Sequence, residues 1–389
     1  MAVRRSRLCC FRLEGLSSPL PYPIQTFMPR FAIVTSHLTT GDAVSNDVLA
    51  MQRVLANHGL ESRMYAESAD FDEPKIWPLA EIKQFLKSPD DVLIYHHSFG
   101  WDTGIELLRK RHCRTVIKYH NVTPPELFTG VSQWHEQKCA EGRRHLEYIA
   151  RAGFASYFSD SAYNMRELLA LGAAEQNSFV VPPFHQIDRL DSVAPDLDTL
   201  EKYRDGQTNI LSVSRVAPHK NQAGLIEAFA IYHHDYNLAS RLVIVGREEQ
   251  AFKTYSERLR GMIKILALED AVEFLGEVSE ETLKALYLLS NVFMFASKHE
   301  GFSVPLVEAM AMKVPIVSYG AAAVPETVDG AGVVLEEIDP LRLAEAVNAV
   351  VADEATGFAL GVNGWHRYEK HFTNSRIETQ FMRALAKLN

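Results

Sequence analysis

The sequence predicts two doubly wound α/β domains facing each other across a cleft. Its 389 residues suggest two or three domains at roughly 150 residues each. From Met28 onward, short apolar runs alternate with longer stretches of helical period, the pattern of βαβ units and a mostly parallel sheet. One polar, acidic interruption, "FHQIDRLDSVAPDLDTLEKYRDG" over 184–206, reads as a linker with a short helix, after which the alternation resumes.

In chain order, "RFAIVTS" (30–36) is the first expected strand, and "VSNDVLAMQRVLANHG" (44–59) a helix that stops at Gly59. "SRMYAE", "DVLIYHH", "RTVIKYH", "FASYFSD" and "SFVVPP" continue the strand signal to residue 183. The second half places strands at "TNILSVSR", "RLVIVGR", "AVEFLGE", "NVFMFAS" and "VPIVSYG", between residues 208 and 320. "FTNSRIETQFMRALAKLN" closes the chain as a helix with Ile377, Phe381, Met382 and Leu385 on one face. The expected division is a leader at 1–27 without a fold role, a first domain at 28–195, a second at 196–372, and a helix at 373–389 that crosses back to the first. The leader's basic start lacks the sustained apolar stretch of a signal peptide.

Composition narrows the function. A formal charge of −9 disfavours general nucleic-acid binding, which needs a basic footprint. Cys9, Cys10, Cys113 and Cys139 have neither metal-ligand nor disulfide-framework spacing, which suits a reduced, cytoplasmic protein. No run reaches the roughly 18 apolar residues of a spanning helix.

In doubly wound domains, ligands bind outside the carboxyl ends of the strands. "SKHEGFSVPLVEAM" (297–310) follows a strand and opens a helix at Pro305, capped by Ser303 or Val304. Glu300 falls in the loop and Glu308 in the first helical turn; Gly301 lets backbone approach a ligand, and the helix start suits an anion. Acids near helix starts also serve simply as dipole partners. "LSVSRVAPHKNQAGLIEAFA" (211–230) is again strand, loop and helix, with Arg215 and Lys220 in the loop, two cations suited to a diphosphate. Together these groups cover a nucleotide-diphosphate sugar: cations and amides for phosphate, one carboxylate for ribose, another for the sugar.

With "SVSRVAPHKN", "LVIVGRE", "VEFLGEVSEETLKALY", the E-x7-E pattern "EGFSVPLVE", "EAMAMKVPIVSY" and "VPETVDGAG" in this order, the chain after Met28 resembles the family 4 retaining glycosyltransferases (glycosyl transferases group 1) of two-domain GT-B fold. The resemblance implies that Glu308 holds ribose hydroxyls and Glu300 the donor sugar. Arg215 and Lys220 would neutralise the diphosphate, aided by amides of Phe302, Ser303 and Val304, with Gly301 also at the nucleotide-sugar site. The backbone around Glu273 and Phe274 would meet the base.

In the first domain, "SHLTTGDAVSND" (36–47) matches the family's glycine-rich phosphate loop but carries Gly41-Asp42 where many members have Gly-Gly. That departure leaves Asp42 or Asn46 free to serve the acceptor instead. His120, ending "IKYH", would contact the donor sugar; His96 and His97 also end a strand beside the cleft. Asp160 and Ser161 in "YFSDSAYN" suggest a helix cap. Arg109, Lys110, Arg111, Arg114 and Lys118 could attract an anionic acceptor or membrane face, or simply be solvated.

The activity so implied is retaining hexosyl transfer, UDP-glucose being the first donor expected, to a saccharide or lipid-linked saccharide. No cofactor or metal is expected; "DFD" (70–72) and "DLD" (196–198) are chance matches to D-x-D. A place in the cytoplasm, with peripheral contact at the inner membrane face, fits this reading. A GT-B epimerase or phosphorylase, or a non-catalytic sugar-nucleotide binding subunit, are the alternatives; a phosphorylase would need pyridoxal phosphate, for which no lysine context stands out.

Overall fold

The computed structural model describes residues 28–388. The expected leader at 1–27, with Cys9 and Cys10, lies outside them. The first sheet holds seven parallel strands: β1 (Phe31–Val34), β2 (Ser62–Ala66), β3 (Ile76–Pro78), β4 (Val92–His97), β5 (Arg114–Tyr119), β6 (Ser156–Ser159) and β7 (Ser178–Val180), in the spatial order β3-β2-β1-β4-β5-β6-β7. The second has six parallel strands: β8 (Thr208–Val213), β9 (Ser240–Val245), β10 (Val272–Gly276), β11 (Val292–Phe295), β12 (Ile316–Tyr319) and β13 (Gly332–Leu335), in the order β10-β9-β8-β11-β12-β13. Both sheets therefore reverse direction beside their first strand, and that switch point is where a crevice opens. In the first domain it lies between β1 and β4, in the second between β8 and β11.

The central strands read as near-continuous apolar runs because helices cover both faces of each sheet. The helices that matter for the site are α1 (Ala43–Asn57), α2 (Gln133–Arg151), α3 (Ala162–Ala170), α4 (Gln222–Ile231), α5 (Glu280–Leu289), α6 (Val304–Ala311), α7 (Glu354–His371) and α8 (Asn374–Leu385). Asp42 caps α1 and Ser161 caps α3 through side chains that accept from Ser45 N and Asn164 N. Two strands of these sheets escaped the sequence reading, as did a separate two-stranded sheet of His37–Leu38 and Ser68–Ala69. β3 is three residues ending in proline, and β13 is a half-buried edge strand in the glycine-rich stretch "DGAGVVLEE".

The chain passes from the first core to the second between Phe184, which packs with first-domain residues, and Ile187, which packs with second-domain ones. That crossing precedes the expected boundary at 195, because Ile187 and Leu190 already belong to the second core. The stretch expected to hold one short helix holds two, Ile187–Ser192 and Leu197–Tyr203. The chain crosses back between Phe372, in the second core, and Ile377, in the first. The two crossings are tied together: His185 Nε2 meets Phe372 O at 2.7 Å, and Asn374 Nδ2 donates to His185 O at 3.0 Å. Among the described residues, these two adjacent stretches of chain are the covalent links between the domains, a natural hinge.

Beyond the hinge, α8 lies on the first domain with Ile377 and Phe381 fully buried. Phe381 meets Phe158 and Phe184 edge-on at 6.2 and 6.1 Å between ring centroids. Phe381→Ala leaves a cavity under the helix and is expected to destabilise the first domain by about 3–5 kcal/mol in denaturant unfolding. Nucleotide affinity, measured well below the unfolding transition, should stay unchanged.

Candidate active site at the domain cleft

At the second-domain switch point, the loops after β8 and β11 are laced to each other. Asn221 Nδ2 donates to Ala296 O at 3.1 Å, Lys298 N to His219 O at 2.8 Å, and Lys220 Nζ to the Glu300 carboxylate at 2.7 Å. Asn221 achieves this in the left-handed region, φ 56°, as it opens α4. Glu300 is only 6% exposed and Lys220 is its single ion-pair partner among the described residues, so the two hold each other at the cleft wall. Arg215 leaves the same loop but turns the other way, to Glu249 at 2.9 Å, and stays half exposed. The structure thus brings Lys220 and Glu300 into contact and does not pair Arg215 with either.

Ser303 caps the start of α6 at φ 78° without a side-chain bond, a conformation that costs a non-glycine residue about 1–3 kcal/mol. Its buried hydroxyl has no partner, and the N–H groups of Phe302 and Ser303 find no acceptor among the described residues. Val304 N–H joins them as the first of the orphan donors every helix start carries. Polar groups kept unsatisfied on a strained turn are what an anion would complete. Glu308 sits in the second turn of α6, not the expected first, because the helix begins at Val304. Tyr287 of α5 donates its hydroxyl to Glu308 at 2.8 Å, while burial pushes the carboxyl above its ordinary range.

Glu273 and Phe274 lie early in β10. The Glu273 carboxylate accepts from Lys202 at 2.6 Å and Tyr203 at 2.9 Å, on the outer edge of the domain. The end of β10 that reaches the cleft is Gly276–Glu277: a Cβ on Gly41 of the first domain would stand 3.7 Å from the Glu277 carboxylate. Gly41 itself has φ +78° and opens toward that neighbour. Asp42 is spent on its cap and Asn46 accepts from Gln186 at 3.2 Å.

The domains meet at Gly301. A Cβ there would fall 2.7 Å from both His120 O and Asn121 Cβ, so this approach needs glycine. Asn121, left-handed at φ 76°, bonds His299 across the cleft at 2.7 Å and also reaches Asn164 and Glu167. Burial lowers the His299 imidazole to about 4, so it is neutral at pH 7. Glu326 adds a second crossing, accepting from Tyr163 N at 2.9 Å. Farther out, Phe252 of the second domain packs on His135 and Phe128 of the first, at 4.6 and 5.9 Å.

His120 belongs to a buried charge network at the ends of β4, β5 and β6, its own side chain only 4% exposed. Its Nδ1 faces Asp160 at 2.9 Å and its Nε2 faces His96 Nδ1 at 2.7 Å. Fully buried Lys118 bonds Asp160 at 2.5 Å, and Asp47 of α1 lies 3.7 Å from both Lys118 and His120. Burial raises the Asp160 carboxyl, but the charges of His120 and Lys118 outweigh it and hold the group low; for Asp47 burial wins. Burial also drives His96 far below the usual imidazole range. His97, which faces Gly142 O at 3.0 Å, falls to about 3 and stays a neutral core residue. Asp160 is therefore part of this network and Ser161 alone caps α3.

Asp47, His96 and His120 bring ligand-type atoms within 4.8 Å of one another, yet the Lys118 ammonium already supplies the positive charge there. The two D-x-D matches have other duties. Asp70 accepts from Thr40 N at 2.9 Å and Asp196 caps a helix through Thr199 N. The basic cluster disperses: Arg109 and Lys110 pair with Glu106, Arg111 donates to Leu108 O and Ala152 O, Arg114 pairs with Asp90, and Lys118 is interior. Among the described residues no helix is long and apolar enough to cross a membrane.

Sequence reasoning missed Asp47, Lys118, Asn121 and His299. Lys118 left a signal, a lysine inside the apolar run "TVIKY"; Asn121 left none.

Comparison with known proteins agrees with this architecture. Residues 200–364 match the family model described as Glycosyl transferases group 1. The O-antigen chain mannosyltransferase RfbU of Salmonella typhimurium LT2 is 34% identical over 114 residues, 29% of this chain and 30% of that one. The MMP alpha-(1->4)-mannosyltransferase of Mycolicibacterium hassiacum is 26% identical over 258 residues, covering 65% of this chain and 59% of that one. The matched stretch thus spans under a third of the first relative's length. Among solved structures, Anabaena Alr3699/HepE in complex with UDP and glucose superposes with a TM-score of 0.74 over 92% of this chain and 99% of that one, at 15% identity. The fold is GT-B.

The buried network offers a test that needs no ligand. Lys118→Met strands the Asp160 and Asp47 carboxyls in the interior. The variant should lose about 3–5 kcal/mol in denaturant unfolding, and Lys118→Arg, if accommodated, should recover part of it.

Proposed function

We propose that the chain is a group 1 glycosyl transferase, the family whose model its residues 200–364 match, and that it transfers a hexosyl group from a nucleotide-diphosphate sugar to a saccharide or lipid-linked saccharide acceptor. The observation that carries this reading is the set of groups at the second-domain switch point: Lys220 bonded to Glu300, the unsatisfied Ser303 turn, and Glu308 in the second turn of the same helix. Cations and amides suit the diphosphate, Glu308 the ribose, and Glu300 the sugar hydroxyls.

In the reaction the bond between the sugar's anomeric carbon and the diphosphate oxygen breaks, and a bond to the acceptor oxygen forms. The acceptor's proton passes to the departing diphosphate oxygen. Lys220, Arg215 and the α6 amides stabilise the charge that grows on the leaving group, the largest kind of catalytic contribution. Retention follows if both bonds change on one face of the sugar. Glu300 suits hydroxyl binding better than nucleophilic attack, since its carboxylate is already claimed by an ammonium. Asp160 and His96 hold both nitrogens of the His120 ring, so its part at the donor sugar would be to support the end of β5 rather than to bond a hydroxyl in this arrangement.

The donor sugar is open to direct comparison. The curated relatives above are named mannosyltransferases, which favours a mannosyl donor such as GDP-mannose over UDP-glucose, the first sequence expectation. No step calls on a metal, and a cytoplasmic site of action suits a donor made there.

Product analysis with GDP-mannose and UDP-glucose separates transfer from epimerisation or simple binding. Arg215→Ala should lower kcat at least tenfold and Glu300→Gln at least a hundredfold with donor binding retained. Full activity in both variants would end this reading. Tyr287→Phe removes the bond that counters burial at Glu308, so the Glu308 carboxyl rises further. If its ionised form holds ribose, the acid limb of nucleotide binding moves to higher pH in that variant, while binding at pH 8 changes little.

A further inference from the structure

Beside the donor groups, a cavity of about 520 Å³ opens between the domains, within the roughly 300–1,000 Å³ typical of small-molecule sites. Its first-domain wall is the loop after β1 and the first turn of α2; its second-domain wall is the loop after β9. Arg215 is shared between this cavity and the proposed diphosphate position, so a molecule in the cavity lies next to the leaving group.

Four charged side chains line it, and three are accounted for. Asp42 caps α1, accepting from Ser45 N at 3.1 Å and Ser45 Oγ at 3.3 Å, and Glu249 holds Arg215 at 2.9 Å. Arg247 lines the cavity with no carboxylate partner among the described residues. The four charges sum to zero, but Arg247 is the cation among them without a carboxylate in contact, and its planar fork matches phosphate.

Trp134 supplies the second feature. Its indole is 53% exposed, yet it is not loose: Phe99 packs on it at 5.1 Å and His135 meets it edge-on at 4.8 Å. A rigid aromatic plane held open at a cavity offers contact area at little entropic cost, and it suits the C–H face of a sugar ring. His135 beside it bonds Ser132 Oγ at 2.8 Å, leaving its other ring nitrogen for a hydroxyl.

We infer that this cavity is the acceptor subsite and takes a phosphorylated saccharide, its ring on the Trp134 indole and its phosphate on Arg247. The inference rests on the donor reading above, because Arg215 sets the distance between the two sites. The sugar phosphate can be free or a glycolipid headgroup; the two share the same recognition chemistry.

The test uses the full chain saturated with GDP or UDP, whichever binds. It is titrated with mannose 6-phosphate, with mannose, and with phosphatidylcholine vesicles carrying phosphatidylinositol, against vesicles carrying phosphatidylglycerol. Calorimetry and tryptophan fluorescence report binding. Mannose 6-phosphate is expected to bind at least tenfold tighter than mannose if the acceptor is free. Selective binding of the phosphatidylinositol vesicles alone assigns the headgroup instead. Trp134→Ala should weaken the bound probe about tenfold. Arg247→Gln should abolish the preference for the phosphorylated form, Arg247→Lys should keep most of it, and neither should alter nucleotide affinity. Equal binding of both sugars, or a preference that survives Arg247→Gln, overturns the inference. Silence from every probe while the nucleotide binds also overturns it and leaves the donor reading standing. Failure of the wild type to bind any nucleotide strikes the donor reading, and this inference falls with it.

Discussion

The close approach at Gly301 is the contact on which the rest of the site depends. Only a residue without a Cβ lets the loop after β11 press against His120 O and Asn121 Cβ at the end of β5. That approach sets Gly301 against the first domain's His120 carbonyl, and it lets Asn121 bond His299 across the cleft. The contact lies next to the hinge: Phe302, the following residue, meets Phe372 of the return crossing edge-on at 5.4 Å, and Phe372 O bonds His185. Side chains from two separately folded sheets thus meet in one site, with the Asn121–His299 and Tyr163–Glu326 bonds bridging the same cleft.

The two domains treat buried charge differently. In the first, Asp47, Lys118 and Asp160 are interior, with His96 and His120 completing the set, and their partners are all protein. Such a network fixes geometry, since each member restrains the next. In the second, the Ser303 hydroxyl and the amides at the start of α6 lack partners, and Lys220 has one carboxylate to hold. The network, in which Asp47 Oδ2 and His96 Nε2 alone lack a hydrogen bond, reads as a support for the His120 ring. The unsatisfied turn reads as a place for a ligand, because native interiors rarely leave such groups unpaired.

Much of this was legible in the sequence, and the failures are physical ones. Strand-helix alternation predicts both sheets because their central strands are buried on both faces and carry little else than apolar residues. Short edge strands such as β3 and β13 do not carry that signal. Lys220 and Glu300 were legible as residues, each following a strand, but their bond joins loops 80 positions apart and depends on which strands neighbour the switch point. Glu308 was placed one turn early because Pro305 suits the first helical position as well as the second, where it stands. The Asp47–Lys118–Asp160 network was not legible: a lysine in a strand or an aspartate in a helix reads as solvated until burial shows otherwise. Trp134 was equally silent, since one exposed aromatic has meaning only beside the cavity it lines.

The central claim is that the turn before α6, with Glu308 behind it, is the seat of a nucleotide diphosphate. Calorimetric titration of wild type and Glu308→Ala with GDP and with UDP, each with and without EDTA, tests it most directly. The account predicts one nucleotide bound with an affinity indifferent to EDTA and weakened at least tenfold in the variant. Equal affinity in the two proteins would contradict it.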